Sequence, residues 1–397
     1  MEPKEAARSH LRTVEPQLIE LSHRIHANPE LSFQEEQAAE WLCQALEAAG
    51  FAVERGVCQL PTAFVARAGK GQLNVAICAE YDALPAVGHA CGHNIIAAAA
   101  LGAGLLLAPL ASELGITLSV LGTPAEEGGG GKIIMLERGA FDGVNAAMMV
   151  HPAPFDAAEM PMIAAAILEV HYYGKAAHAS AFPEAGINAA DAITVAQTAV
   201  GLLRQHLRST DRVHGIVTRG GEAPNIVPAH TTAGYMVRGS TLSDMEEVLA
   251  KVTRCFEAGA LATGCRLEIK AEKPYADVRA DAEMTALYSA NARELGRLLL
   301  TPNEGLRRTA ASTDMGNVSH VIPSIHPAIG IASLPASNHQ PEFAAHSVSG
   351  AGDRAVLDGA LLMAWTAIDV ATESSTRARL LESPYQASRD RTRPSGD

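Results

Sequence analysis

Apolar positions in the first 160 residues fall into short unbroken runs separated by stretches of helical repeat. Leu73 to Ala79, Ile116 to Leu121 and Ala146 to Val150 are continuous apolar runs that predict buried strands. Glu36 to Ala49 carries helical periodicity and stops at Gly50, a common residue after a helix C-terminus. A further helix is expected from about Asn94, and the Ala-rich stretch Ile95 to Leu110, ending at Pro109, reads as a buried one. Alternating strands and helices imply a largely parallel sheet covered on both faces. In such sheets ligands sit beyond the carboxyl ends of the strands. Asp82, Cys91, Glu126, Glu127 and His151 each follow one of these strands, so one rim gathers residues distant in sequence.

The pattern changes after about Ala164. Strands are expected at Ala164 to Tyr173, His214 to Arg219, Thr231 to Val237 and Arg266 to Ala271. Helices are expected at Asn188 to Leu207 and Leu242 to Thr263. The order β-α-β-β-α-β is the ferredoxin-like plan, complete in itself. From Asp281 the chain again resembles its first half, so residues 164–278 read as a domain inserted into one made of 1–163 and 279–372. The fold class is therefore α/β, a mixed, mostly parallel sheet domain with an inserted ferredoxin-like α+β domain. Residues 373–397, rich in Ser, Arg, Pro and charge, are expected to form a disordered tail. No internal repeat is evident.

With 397 residues the chain exceeds what a single core usually organises. It is 48% hydrophobic and 19% charged, the profile of a soluble globular protein, and no run reaches the roughly 18 consecutive apolar residues of a membrane span. The net charge of −13 argues against a nucleic-acid partner, because phosphate affinity is carried by Lys and Arg. The charged N-terminus lacks the apolar core of a signal peptide, and six scattered cysteines lack disulfide-framework spacing. Free thiols and a cytoplasmic location are expected.

Candidate chemistry concentrates in His89-Ala-Cys-Gly-His-Asn94 and Pro124-Ala-Glu-Glu-Gly-Gly. Cys91 and His93 flank a glycine at a helix start, where the helix dipole favours a thiolate. A buried cysteine beside a structural histidine fits that pair equally well. Glu126 and Glu127 end a strand and lead into Gly128 to Gly131, glycines expected to let backbone approach a ligand. A phosphate loop would need a following Gly-Lys-Ser/Thr, which is missing. His151 follows a strand; His339 lies in a polar loop, with His346 a competitor for its role. Singly each is weak. Together they are the donor set of a metal site that activates water.

With these motifs the chain resembles the aminoacylase and glutamate-carboxypeptidase family of two-metal peptidases. Within it, the match is to the amidohydrolase branch of auxin-conjugate hydrolases, aminobenzoyl-glutamate hydrolases and β-alanyl-lysine dipeptidase-like proteins. The resemblance runs from His23 to about Thr372. It rests on Tyr81-Asp-Ala-Leu-Pro, the His89 and Pro124 segments, Gly174-Lys-Ala-Ala-His-Ala, Ala223-Pro-Asn-Ile-Val-Pro, Ser312-Thr-Asp-Met-Gly-Asn and the His339 loop. It implies two divalent ions, zinc or else manganese or cobalt, held by Cys91, His93, Glu127, His151 and His339, with Cys91 bridging. It implies Glu126 as general base and Asp82 as the carboxylate that orients the site. The inserted domain would pair two protomers as a homodimer and cover the site, bringing His178 to the partner's scissile carbonyl. Asn225 and Arg238 match substrate-holding positions, the guanidinium being suited to a terminal carboxylate.

The resemblance departs from the auxin-conjugate pattern at Asn94, where an aspartate is replaced, and the following Ile95-Ile-Ala lacks a further histidine. The implied reaction is hydrolysis of an amide in a small N-acyl or aryl amino acid or a dipeptide. Two rivals stand beside it. One is a cysteine hydrolase using Cys91 with His93, which leaves Glu126 and Glu127 without a role. The other is a binding protein that keeps the fold without catalysis.

Overall fold

The computed structural model describes residues 1–301, 311–382 and 384–386. The chain divides into two compact units, Met1–Pro161 with Val278–Asp397, and Met162–Asp277.

The first unit is built on a six-stranded sheet of β1 (Ala52–Arg55), β2 (Phe64–Gly69), β3 (Leu73–Ala79), β4 (Ile116–Gly122), β5 (Ala146–Met148) and β11 (Ser324–Ile325). Its order is β1-β2-β4-β3-β5-β11. β4, β3, β5 and β11 run parallel, whereas β1 and β2 join antiparallel at one edge. The sheet is thus mixed with a parallel centre. Two short strands, β6 (His151–Ala153) and β12 (Ala328–Gly330), form a separate parallel pair. Side chains alternate across the main sheet because successive residues of a strand point to opposite faces. Val75 and Ile77 of β3 face a core shared with the helices Pro3–Ala27, His93–Leu107 and Gly350–Thr372, while Ala76 and Cys78 face a second core shared with Gly131–Glu137 and Met315–Ser319. Burial on both faces explains why these strands read as unbroken apolar runs.

The helix His93–Leu107 is buried at every position. Two helices, His93–Leu114 and Gly350–Thr372, are long and apolar enough to cross a membrane by length and composition, but 78% of each apolar window is buried inside the protein. Both are core helices of the first unit. Ser374–Leu381 is also helical, contrary to the expected tail. The Arg377 guanidinium donates to the carbonyls of Leu114, Gly115 and Ala371, and Leu380 is buried, so tertiary anchors override a polar composition there. Residues 383 and 387–397 of the expected tail lie outside those described.

The second unit is a four-stranded antiparallel sheet of β7 (Ala164–Tyr173), β8 (Arg212–Arg219), β9 (His230–Gly239) and β10 (Arg266–Ala271), in the order β10-β7-β9-β8. Helices Ala189–Leu203 and Leu242–Thr263 cover one face around Tyr172, Val237, Val248 and Phe256. With first strand central and second at an edge, this is the ferredoxin-like topology. Asn188 and Thr241 cap the two helices by accepting from main-chain amides, which sets where each begins.

Candidate metal centre

The rim of the parallel strands gathers the donors of the first unit. Asp82 lies three residues beyond β3, and its buried carboxylate does two things. Its Oδ1 lies 2.9 Å from His93 Nδ1, and its Oδ2 accepts from the Glu127 amide at 2.9 Å and the Ser32 hydroxyl at 3.2 Å. Burial would raise its pKa, but the charge and hydrogen bond of His93 and the Glu127 amide outweigh this and hold it at about 2. With Nδ1 engaged, His93 presents Nε2 to the site.

Cys91 and His93 stand on either side of Gly92, which takes the left-handed conformation (φ 78°) at the helix start. A Cβ there would fall 2.5 Å from a Pro152 ring carbon, so only glycine fits this turn. Cys91 Sγ lies 3.6 Å from His151 Nε2. His151 is the first residue of β6, and its Nδ1 contacts the Pro152 carbonyl at 2.9 Å, turning Nε2 toward the thiol.

The helix start does not lower the Cys91 thiol as expected. Burial, and next the Glu127 carboxylate, push its pKa well above the ordinary value. A cation at this position reverses that balance, because a coordinated thiol is deprotonated.

Glu126 and Glu127 leave the end of β4 through Ala125, whose φ is 59°. Glu35 holds this turn. Its Oε1 accepts from the Ala125 amide and its Oε2 from the Thr62 hydroxyl, both at 2.9 Å. Burial raises the Glu35 pKa to about 7. Glu127 Oε1 lies 3.8 Å from His93 Nε2 and 3.4 Å from His339 Nε2. Glu126 Oε2 lies 3.9 Å from His93 Nε2. Burial first, then the charges of Glu80 and Glu127, hold the Glu126 carboxyl above the usual range.

Two of the glycines after Glu127 are required by packing. A Cβ on Gly131 would fall 1.9 Å from the Pro124 carbonyl oxygen, and one on Gly129 would meet the Phe33 ring at 2.3 Å.

His339 (φ 71°) is tied in by its amide, which donates to the Ala90 carbonyl at 2.8 Å. Among the described residues, Cys91, His93 and His151 form one group of donor atoms within 4.8 Å of one another, Cys91, Glu127 and His339 a second, and Glu80, His93 and Glu126 a third. Cys91 belongs to the first two. His346, in the helix Pro341–His346, belongs to none.

Whether these residues fit a metal can be judged from their unmatched atoms. His93 Nε2, Glu80 Oε2 and Glu127 Oε1 are buried without a hydrogen-bond partner. Stranding polar atoms costs about 1–3 kcal/mol apiece, a cost that cations at their convergence remove. Thiolate, imidazole and carboxylate are also the donors zinc prefers. The residues fit.

Sequence reasoning overlooked the layer beneath. Lys132 Nζ, fully buried, donates to Glu80 Oε1 at 2.5 Å and Asp314 Oδ1 at 2.7 Å. Glu80 directly follows β3, and that position was the available signal. His326, buried with both nitrogens unpartnered, has its ring 5.4 Å from the His151 ring. Asn338 donates to the Pro152 carbonyl at 3.1 Å beside the same histidine.

His178, Asn225 and Arg238 belong to the second unit. The amides of Ser180 and Ala181 donate to His178 Nδ1 at 3.4 and 3.3 Å, which leaves Nε2 as the ring's other polar atom. His178 and Ile226 bridge, and the Ala179 amide donates to the Asn225 carbonyl, so His178 and Asn225 sit on adjoining segments. Both are exposed. Arg238 on β9 is half-buried, and burial lowers its pKa.

Donors of this kind on the rim of an α/β sheet mark a metal-dependent hydrolase. Residues 164–263 match the peptidase dimerisation domain of the M20 type. The Xaa-Arg dipeptidase of Mus musculus is 41% identical over 366 residues, covering 88% of this chain and 84% of that protein. A component chain of the p-aminobenzoyl-glutamate hydrolase of Escherichia coli is 34% identical over 275 residues, covering 64% of this chain and 57% of that protein. In structure, the Bacillus subtilis YxeP protein, a dinuclear metal-binding peptidase, shares the fold with a TM-score of 0.69 at 23% identity, over 90% of this chain and 99% of that one. The chain belongs to the M20 family of peptidases and amidohydrolases, and it is an enzyme that hydrolyses amide bonds.

Proposed function

We propose that this enzyme is a dipeptidase that uses two zinc ions held by Cys91, His93, Glu127, His151 and His339. The observation that carries the reading is the pair of donor groups sharing Cys91, one completed by His93 and His151 and the other by Glu127 and His339. A thiolate donor with imidazole and carboxylate would favour zinc over manganese or cobalt. When bound, such a pair of ions lowers the pKa of an attacking water and polarises the scissile carbonyl.

The chain's own residues do the rest. Glu126 takes the water's proton and returns it to the leaving amine, and its burial keeps that proton in the site. Asp82 keeps His93 in the tautomer that faces the site. His178 offers Nε2–H to the developing oxyanion, and Arg238 forks onto the substrate's terminal carboxylate while Asn225 holds its backbone. A homodimer through the second unit brings His178 to the partner's site. The match of residues 164–263 to a dimerisation domain supports this, as does the edge strand β8, which exposes Ile216 and Val217. A cytoplasmic location agrees with six free cysteines.

A dipeptide comes first among substrates because a protein named Xaa-Arg dipeptidase aligns over most of both chains. An aryl-glutamate is the second reading, carried by the shorter match to the p-aminobenzoyl-glutamate hydrolase chain. Mass spectrometry of products from dipeptides ending in Arg or Lys, aryl-glutamates and N-acyl amino acids, with zinc and with EDTA, tests both. Metal-dependent release of a free C-terminal basic residue is the expected result. Activity that survives EDTA but not a thiol reagent would transfer the reaction to Cys91.

A further inference from the structure

We propose that Glu80 is a further ligand of the metal centre, reaching the ion that His93 holds, with Lys132 and Asp314 as the pair that positions it. The inference rests on the metal reading given above and adds a ligand outside the Cys91, His93, Glu127, His151 and His339 set.

Two unpartnered atoms face each other. Glu80 Oε2 and His93 Nε2 lie 3.5 Å apart, both fully buried and both without a hydrogen-bond partner. His93 Nδ1 is already engaged by Asp82. Nε2 and Oε2 are therefore two buried polar atoms left available to a cation. Glu126 contributes a third oxygen to the same cluster, so Glu80, His93 and Glu126 offer three donor atoms within 4.8 Å.

The charge around this point favours a metal ion. Glu80, Asp82, Glu126, Glu127 and Asp314 are five carboxylates at or beneath the rim, and Lys132 is the buried ammonium among them. Gathering carboxyl groups out of water around a single buried ammonium is costly unless further cations offset them. Divalent ions offset it directly.

A merely structural role for Glu80 leaves Oε2 without a partner. Asp314 binds Lys132 with both oxygens, accepting from its amide at 2.9 Å and from its ammonium at 2.7 Å. Glu80 spends only Oε1 on the lysine, and that bond turns Oε2 toward His93. Lys132 thereby fixes the carboxylate's rotation, much as Asp82 fixes the imidazole's.

The test measures metal rather than turnover. Wild type and Glu80→Gln are loaded with zinc, dialysed and assayed by mass spectrometry for bound metal, with affinities from chelator competition. Wild type should hold two ions per chain. Glu80→Gln should lose one, or bind it at least about 100-fold more weakly, the upper end of what losing a supporting contact costs. Two ions at unchanged affinity in Glu80→Gln would overturn the proposal. No bound zinc in wild type would instead overturn the metal-centre reading itself. Because the variant removes one of the two carboxylates paired with Lys132 and could fail to fold, crystals of zinc-loaded wild type give the second arm. A Glu80 oxygen about 2.0–2.2 Å from an ion supports ligation. Ions in place with Glu80 bonded to Lys132 alone and neither of its oxygens within ligand distance reject ligation.

Discussion

Asp82 Oδ1 lies 2.9 Å from His93 Nδ1, and through that one contact the imidazole's other nitrogen is aimed at the cluster of Glu80, Glu126 and Glu127. The same carboxylate accepts the Glu127 amide. Two donor-bearing segments far apart in sequence are therefore registered by a single side chain. Asp82→Ala should weaken zinc binding by about 10–100-fold, read by chelator competition, and lower kcat with it. Unchanged metal affinity would show that the ring is held by packing alone.

Glu126 sits against His93 but outside the two donor groups that share Cys91. Glu126→Gln should keep two ions per chain yet lose about 10²- to 10⁴-fold in kcat, the usual contribution of a positioned general base. Metal analysis alongside steady-state kinetics checks it. Near-normal turnover in the metal-replete variant would remove Glu126 from that role.

Lys132 neutralises two carboxylates in a fully buried position. Removing one partner of a buried ionic cluster typically costs about 3–5 kcal/mol, because the remaining charges have no compensation. Lys132→Met should therefore lower the melting temperature strongly, and added zinc should recover part of the loss by mass action. Calorimetry with and without zinc measures both.

Glu35 supplies a pH signature in the metal-free protein. Its pKa is about 7 in the fold against an ordinary 4.5. The folded state thus binds the proton more tightly than the unfolded chain. Its contribution is fully present below about pH 4.5 and is lost as pH rises through 7, a change of up to about 3 kcal/mol. Glu35→Gln keeps an oxygen for the Ala125 amide and should flatten that part of the stability–pH curve. Chemical denaturation from pH 4 to 8 reads the slope; identical slopes in the two proteins would assign it to other groups.

The legible part of the fold was the part governed by local pattern. β3 and the helix Leu242–Thr263 begin and end where the apolar pattern predicts, because their burial leaves a periodic trace. The antiparallel arrival of β1 and β2 at the sheet edge is absent from that pattern, since pairing direction depends on partners elsewhere in the chain. The helix Ser374–Leu381 was likewise hidden, because its anchors are the Leu114 and Gly115 carbonyls, 263 and 262 residues away from Arg377.

For the site, residue type and position after a strand marked Cys91, Glu126, Glu127 and His151 as candidates, and the family resemblance assigned roles to them and to His93. Sequence by itself determined which donors exist and that the strand ends bring them to one rim. Only tertiary structure decided that His339 rather than His346 joins Glu127, that Cys91 is raised rather than lowered in pKa, and that Glu80, Lys132 and Asp314 lie beneath. The reason is physical. Strand and helix preferences act over a few residues and leave a periodic signature, whereas pKa, orientation and charge compensation depend on groups that meet only when distant segments are packed together out of water.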